Sequence, residues 1–91
     1  MTIGNSFKKA INTAFAYTIF LTRDEEFIAK TLNMKFKHSD SMTILPHIPC
    51  IKVETIDETH DKVTLVFDDY QIDGVITWKP IKTNFVFVKF E

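Results

Sequence analysis

The hydrophobic period changes once along this chain, and that change restricts the folds open to it. Up to about residue 33, apolar side chains recur every three or four positions, the spacing of one helix face. From Cys50 onward they alternate, the spacing of a half-buried strand. Helices followed by strands pack as separate layers, which predicts an α+β fold with two N-terminal helices on one face of an antiparallel sheet. The sheet has four strands, or five if residues 34–38 contribute one. A length of 91 residues gives room for a single domain, residues 1–91, built on one core. The lone cysteine excludes an internal disulfide, so packing must hold that core together, and it makes the cytoplasm the expected compartment.

Phe7, Ala10, Ile11, Ala14, Phe15, Thr18 and Ile19 keep helical spacing, with Asn5 or Ser6 placed to cap the start. Near the end of this stretch Phe15, Ile19 and Phe20 spread apolar surface around the cylinder, which predicts burial of all three in the core or a subunit contact. Thr22 and Glu25 have the spacing of a capping box, and a second helix is expected over residues 23–33 with Phe27, Ile28 and Leu32 inward. Lys8 and Lys9 ahead of the apolar stretch 10–21 imitate a signal peptide. However, the residues that follow, Thr22 to Glu26, offer no small-residue cleavage site, and the stretch is shorter than the roughly 20 residues of a membrane helix. The expectation is an uncleaved chain that does not enter a membrane.

Met34, Phe36 and His38 alternate with Lys35 and Lys37, a pattern that fits a strand, or a helix prolonged to Lys37. A polar loop at residues 38–41, then Pro46 and Pro49, precede strands at 50–56 and around Val63, Leu65 and Phe67. Asp73-Gly74 carries the signature of a type I′ hairpin turn. That turn would set Ile72 opposite Val75, Tyr70 opposite Thr77 and Asp68 opposite Lys79, with Pro80 ending or edging the strand. Residues 84–90 are apolar on both faces, as in a central strand or a covered edge.

Few residues here are arranged for catalysis. His47-x-x-Cys50 is half of a metal-ligand spacing, with His38, Asp40 and His60 left to complete it, and no second pair exists; the simpler expectation is a buried Cys50 at a strand start. Two glycines are too few for a phosphate cradle or a nucleophile elbow. We therefore expect no enzyme, cofactor or metal. Net charge is −1, with a surplus of bases in residues 1–46 and of acids in 47–91. Phe67, Tyr70, Trp78, Phe85 and Phe87 would make a base-stacking platform only beside a basic groove, and the sequence shows none, so no nucleic acid is expected. Glu54, Asp57, Glu58, Asp61, Asp68, Asp69 and Asp73 form an acidic set read mainly as solvated surface.

Residue types with A+T-rich codons (Phe, Tyr, Met, Ile, Asn, Lys) number 39, against 10 for Gly, Ala, Arg and Pro. That bias suggests an A+T-rich genome such as those of many phages. Exclusion of chemistry leaves contact as the expected mode of action: a small viral accessory protein that binds a larger protein and inhibits or redirects it. The candidate surface is Asp68, Asp69, Tyr70, Asp73 and Trp78, because Tyr and Trp near a short turn offer large, rigid contact area. The alternative is an assembly module that self-associates through its apolar first helix or final strand.

Overall fold

The computed structural model describes residues 3–16, 18–37, 47–82 and 84–91, with residues 3–5 described by backbone only. Among them are two helices and five strands, in the order α1 (Ile3–Phe15), β1 (Ile19–Phe20), α2 (Glu25–Lys37), β2 (Cys50–Thr55), β3 (His60–Val66), β4 (Gln71–Ile81) and β5 (Asn84–Phe90). The strands form one antiparallel sheet ordered β1-β5-β4-β3-β2. The α+β reading holds, and β5 is internal, as its two apolar faces imply.

The helices occupy one side of the sheet because each has a single apolar stripe. Phe7, Ile11 and Phe15 on α1 and Ile28, Leu32 and Phe36 on α2, each four residues apart, are buried in the same cluster as Ile51, Val63, Leu65, Ile76, Trp78, Phe87 and Phe90 from the sheet. Edge-on ring contacts link the layers, with Phe15 lying 5.7 Å from Phe20 and 5.5 Å from Phe87 between centroids. Each fully buried side chain of this kind contributes about 1.5–3 kcal/mol.

Several expectations about boundaries fail for identifiable reasons. The first helix starts at Ile3, so Asn5 and Ser6 lie within its first turn instead of capping it. It ends at Phe15, and Ile19-Phe20 becomes a short edge strand paired with Val86 and Phe85. Alternation then buries Phe20 but leaves Ile19 59% exposed, against the prediction that both are covered. The fifth strand is therefore this one, since residues 34–37 continue α2. The Thr22–Glu25 capping box does not form. Asp24 caps α2 by accepting the Glu26 N–H at 3.2 Å, Thr22 Oγ1 accepts the Asp24 N–H at 3.1 Å, and Glu25 instead accepts the Val53 N–H at 2.9 Å. The loop at 38–41, Pro46 and Tyr17 lie outside the described residues.

The largest correction concerns the hairpin. Asp73 and Gly74 sit inside β4, paired with Thr64 and Val63, and the β3–β4 turn falls at Asp68-Asp69, closed by the Phe67 N–H on the Tyr70 carbonyl at 2.8 Å. The expected pairs of Ile72 with Val75, Tyr70 with Thr77 and Asp68 with Lys79 are accordingly absent. Gly74 has no positive φ; its lack of a side chain serves close packing. A Cβ there would stand 2.6 Å from Phe90 Cε1 and 2.7 Å from the Glu91 carbonyl oxygen. Phe90 is buried and the Glu91 carbonyl accepts the Val75 N–H, so neither neighbour yields readily. Gly74→Ala is expected to lower stability by about 1–3 kcal/mol in chemical denaturation, as overpacking outweighs the smaller entropic gain. A neutral or stabilising change would show that Phe90 moves aside.

Pro80 does not end β4. It lies past Thr77, the last residue with a β3 partner, where β4 has a strand on one side only and a missing N–H is tolerated. A bulge between Thr77 and Trp78 leaves Val88 as the extra residue of β5. Two helix asparagines hold backbone beside the sheet, one at the last residue of β5 and one two residues before β2. Asn12 on α1 donates to the Phe90 carbonyl at 3.0 Å and accepts its N–H at 2.7 Å, and Asn33 on α2 does the same for Ile48 at 3.2 and 2.8 Å.

Candidate functional site

The corrected register gathers part of the predicted surface and disperses the rest. Asp68, Asp69 and Tyr70 share the β3–β4 turn, and all three are exposed. The Tyr70 ring, 44% exposed, stacks on Phe67 at 4.7 Å and 17°, and Phe67 in turn meets Phe7 of α1 edge-on at 5.6 Å. The tip therefore carries an aromatic ring whose rotation is already restricted by the core behind it. Asp73 lies further along β4 and accepts a hydrogen bond from Thr64 Oγ1 at 2.9 Å. Trp78 does not belong to this surface. It is 1% exposed on the inner face of β4, against the expectation of a contact residue, because alternation from Ile72 and Ile76 carries it inward.

A second cluster was not foreseen. Asp61, fully buried, accepts the Trp78 indole N–H at 2.8 Å and the Arg23 Nε–H at 2.9 Å, and Arg23 Nη2 reaches its other oxygen. Arg23, the single arginine of the chain, also donates to the carbonyls of Glu58 at 2.5 Å, Asp57 at 2.9 Å and His60 at 3.2 Å. Its guanidinium lies 5.6 Å from the centre of the Phe85 ring. The Asp61 hydrogen bond, ahead of the opposing effect of burial, raises the Arg23 pKa. Every partner in this cluster is structural, and it fastens the segment before α2 to the β2–β3 turn. The only sequence signal for it is a lone arginine among ten lysines, at a site that needs a planar fork.

In the same turn, Asp57 accepts the Thr59 N–H at 2.8 Å and faces His60 Nδ1 at 2.8 Å. The backbone hydrogen bond from Thr59, then the side-chain hydrogen bond from His60, lower the Asp57 carboxyl from 3.8 to about 2. A depressed carboxyl pKa stabilises the fold above the unfolded value and loses that contribution as pH falls through the folded one. The stability difference between the parent chain and Asp57→Asn should therefore shrink as pH is lowered from about 4 to about 2, followed by thermal melts. A difference that stays constant across that window would contradict the assignment.

His47 and Cys50 are both exposed, so Cys50 is not the buried residue expected at a strand start. His38 and Asp40 lie outside the described residues. Among the described residues no group of three or more His, Cys, Asp or Glu is placed to hold a metal ion. The acidic set is broken by the burial of Asp61, and of the five aromatics considered for stacking, Trp78 and Phe87 are core. A void of about 10 Å³ among Ile11, Phe15, Ile28 and Phe87 has room for no more than one water and is wholly apolar. No helix among the described residues is long and apolar enough to cross a membrane.

No family model, curated protein or solved structure matches this chain.

Proposed function

We propose that the chain is a small non-catalytic protein-binding module that acts by stoichiometric contact through the β3–β4 tip. The observation behind this reading is Tyr70, an exposed ring already stacked on Phe67 and flanked by two exposed aspartates. Ordering a side chain at an interface costs about 0.5–1.5 kcal/mol, and a pre-stacked tyrosine has less of that to lose. The aspartates favour a partner with a basic patch, whose association is faster at low salt. The A+T-rich codon bias supports the further proposal that the module serves a virus or phage by inhibiting or redirecting a larger protein.

The test is affinity capture of a partner with the parent chain, repeated with Tyr70→Ala and Asp69→Ala after their folds are verified. Retention by the parent and loss of about tenfold or more in affinity by Tyr70→Ala, the size of a contact worth 1.4 kcal/mol, is the expected result. Equal capture by both variants removes the tip from consideration.

Self-association is the second reading. The apolar face of α1 is spent on the core, but exposed Ile19 and Ile81 lie on the open side of the sheet near Val86, with exposed Val88 at the bulge. Sedimentation across concentrations separates the two readings, since a monomer at all concentrations disposes of the second.

A further inference from the structure

Between α1 and the end of β5 lies an open groove of about 630 Å³, bordered by Lys8, Lys9 and Lys89 and by one carboxylate side chain, Glu91. It is broadly open to solvent, a surface along which a segment can lie and not an enclosed ligand pocket. Lys89 pairs with Glu91 at 3.0 Å, a contact between two largely exposed side chains that adds little. Lys8 holds its ammonium 5.8 Å from the centre of the Phe90 ring, and Lys9 has no ion-pair partner among the described residues. The groove is thus locally cationic in a chain whose net charge is −1. On its floor the Phe90 N–H and carbonyl are already taken by Asn12, so the groove offers fixed positive charge and not an unpaired strand edge.

We propose that this groove docks an acidic segment of another protein, whose carboxylates pair with Lys8 and Lys9. The observations favour a peptide over nucleic acid. Binding to a phosphate backbone scales with the number of phosphates neutralised, and the lining of this groove sets only three lysines against Glu91. A peptide needs only two or three well-placed carboxylates and tolerates one acid nearby. This surface is separate from the Tyr70 tip and does not depend on it.

The probe is a short fluorescein-labelled peptide rich in glutamate, titrated against the full chain by fluorescence anisotropy at low and at physiological salt. Expected are saturable binding, a loss of about tenfold or more in Lys8→Glu/Lys9→Glu, and no change in Lys52→Glu/Lys62→Glu or in Tyr70→Ala. Folding of each variant is checked by circular dichroism. Equal weakening by the Lys52/Lys62 pair would reduce the effect to general charge attraction and overturn the proposal. It is equally overturned by no binding at millimolar peptide, by binding of a mixed-sequence oligonucleotide in place of the peptide, or by self-association that disappears in Lys8→Glu/Lys9→Glu, which would make the occupant a second copy. Loss of partner capture by the tip variants with intact peptide binding would leave this groove assignment standing.

Discussion

Asp61→Ala should lower the unfolding free energy by about 2–4 kcal/mol, the cost of removing a buried carboxylate that serves two donors at once. The buried Trp78 indole N–H loses its acceptor, and the Arg23 guanidinium, which keeps three carbonyls, loses its charged one. For a chain of this length, whose whole stability is on the order of 5–14 kcal/mol, that is a large share. Urea denaturation gives the measure, and a loss below about 1 kcal/mol would show that water or another group replaces the carboxylate. Arg23→Lys should also cost more than about 1 kcal/mol, because a single ammonium cannot serve Asp61 and three carbonyls together. The two changes should not add, since both act on the same contact.

Phe15→Ala is the other large effect, about 3–5 kcal/mol if the surroundings fail to close over the missing ring. Phe15 is 1% exposed and its ring meets Phe20 on β1, Phe36 on α2 and Phe87 on β5, so truncation loosens α1 from three elements together. Ile19, one of the three residues expected to be buried with it, provides the contrast. Ile19→Ala should cost no more than about 0.5 kcal/mol, as for other surface positions. If Phe15→Ala costs under about 1 kcal/mol, the helix has repacked against the sheet.

The architecture was legible because it rests on periodicity, which each segment carries within itself. Phe7, Ile11 and Phe15, like Val63 and Leu65, announce their buried face without reference to the rest of the chain. What could not be read were features settled by a distant partner. Ile19-Phe20 looks like the end of a helix and becomes a strand because β5 offers it a ladder. Asp73-Gly74 has the composition of a turn, yet its glycine answers to Phe90, sixteen positions away, while Asp68-Asp69 turns the chain. The candidate surface fared in the same way. Asp68, Asp69 and Tyr70 are neighbours in sequence and remain so in space, whereas the inward direction of Trp78 depends on where the hairpin turns. The Arg23–Asp61 pair spans 38 positions with no local mark.

The two asparagine clasps also govern how this molecule comes apart. Phe90 and Ile48 give their N–H groups to side chains of α1 and α2. Their backbone hydrogens therefore exchange with deuterated solvent only when the Asn12 or Asn33 clasp opens, although neither bond belongs to a strand ladder. Each clasp joins backbone beside the sheet to a helix that is rooted in the shared core. Fraying at either place therefore also gives up the paired bonds of one clasp, each worth about 0.5–1.5 kcal/mol.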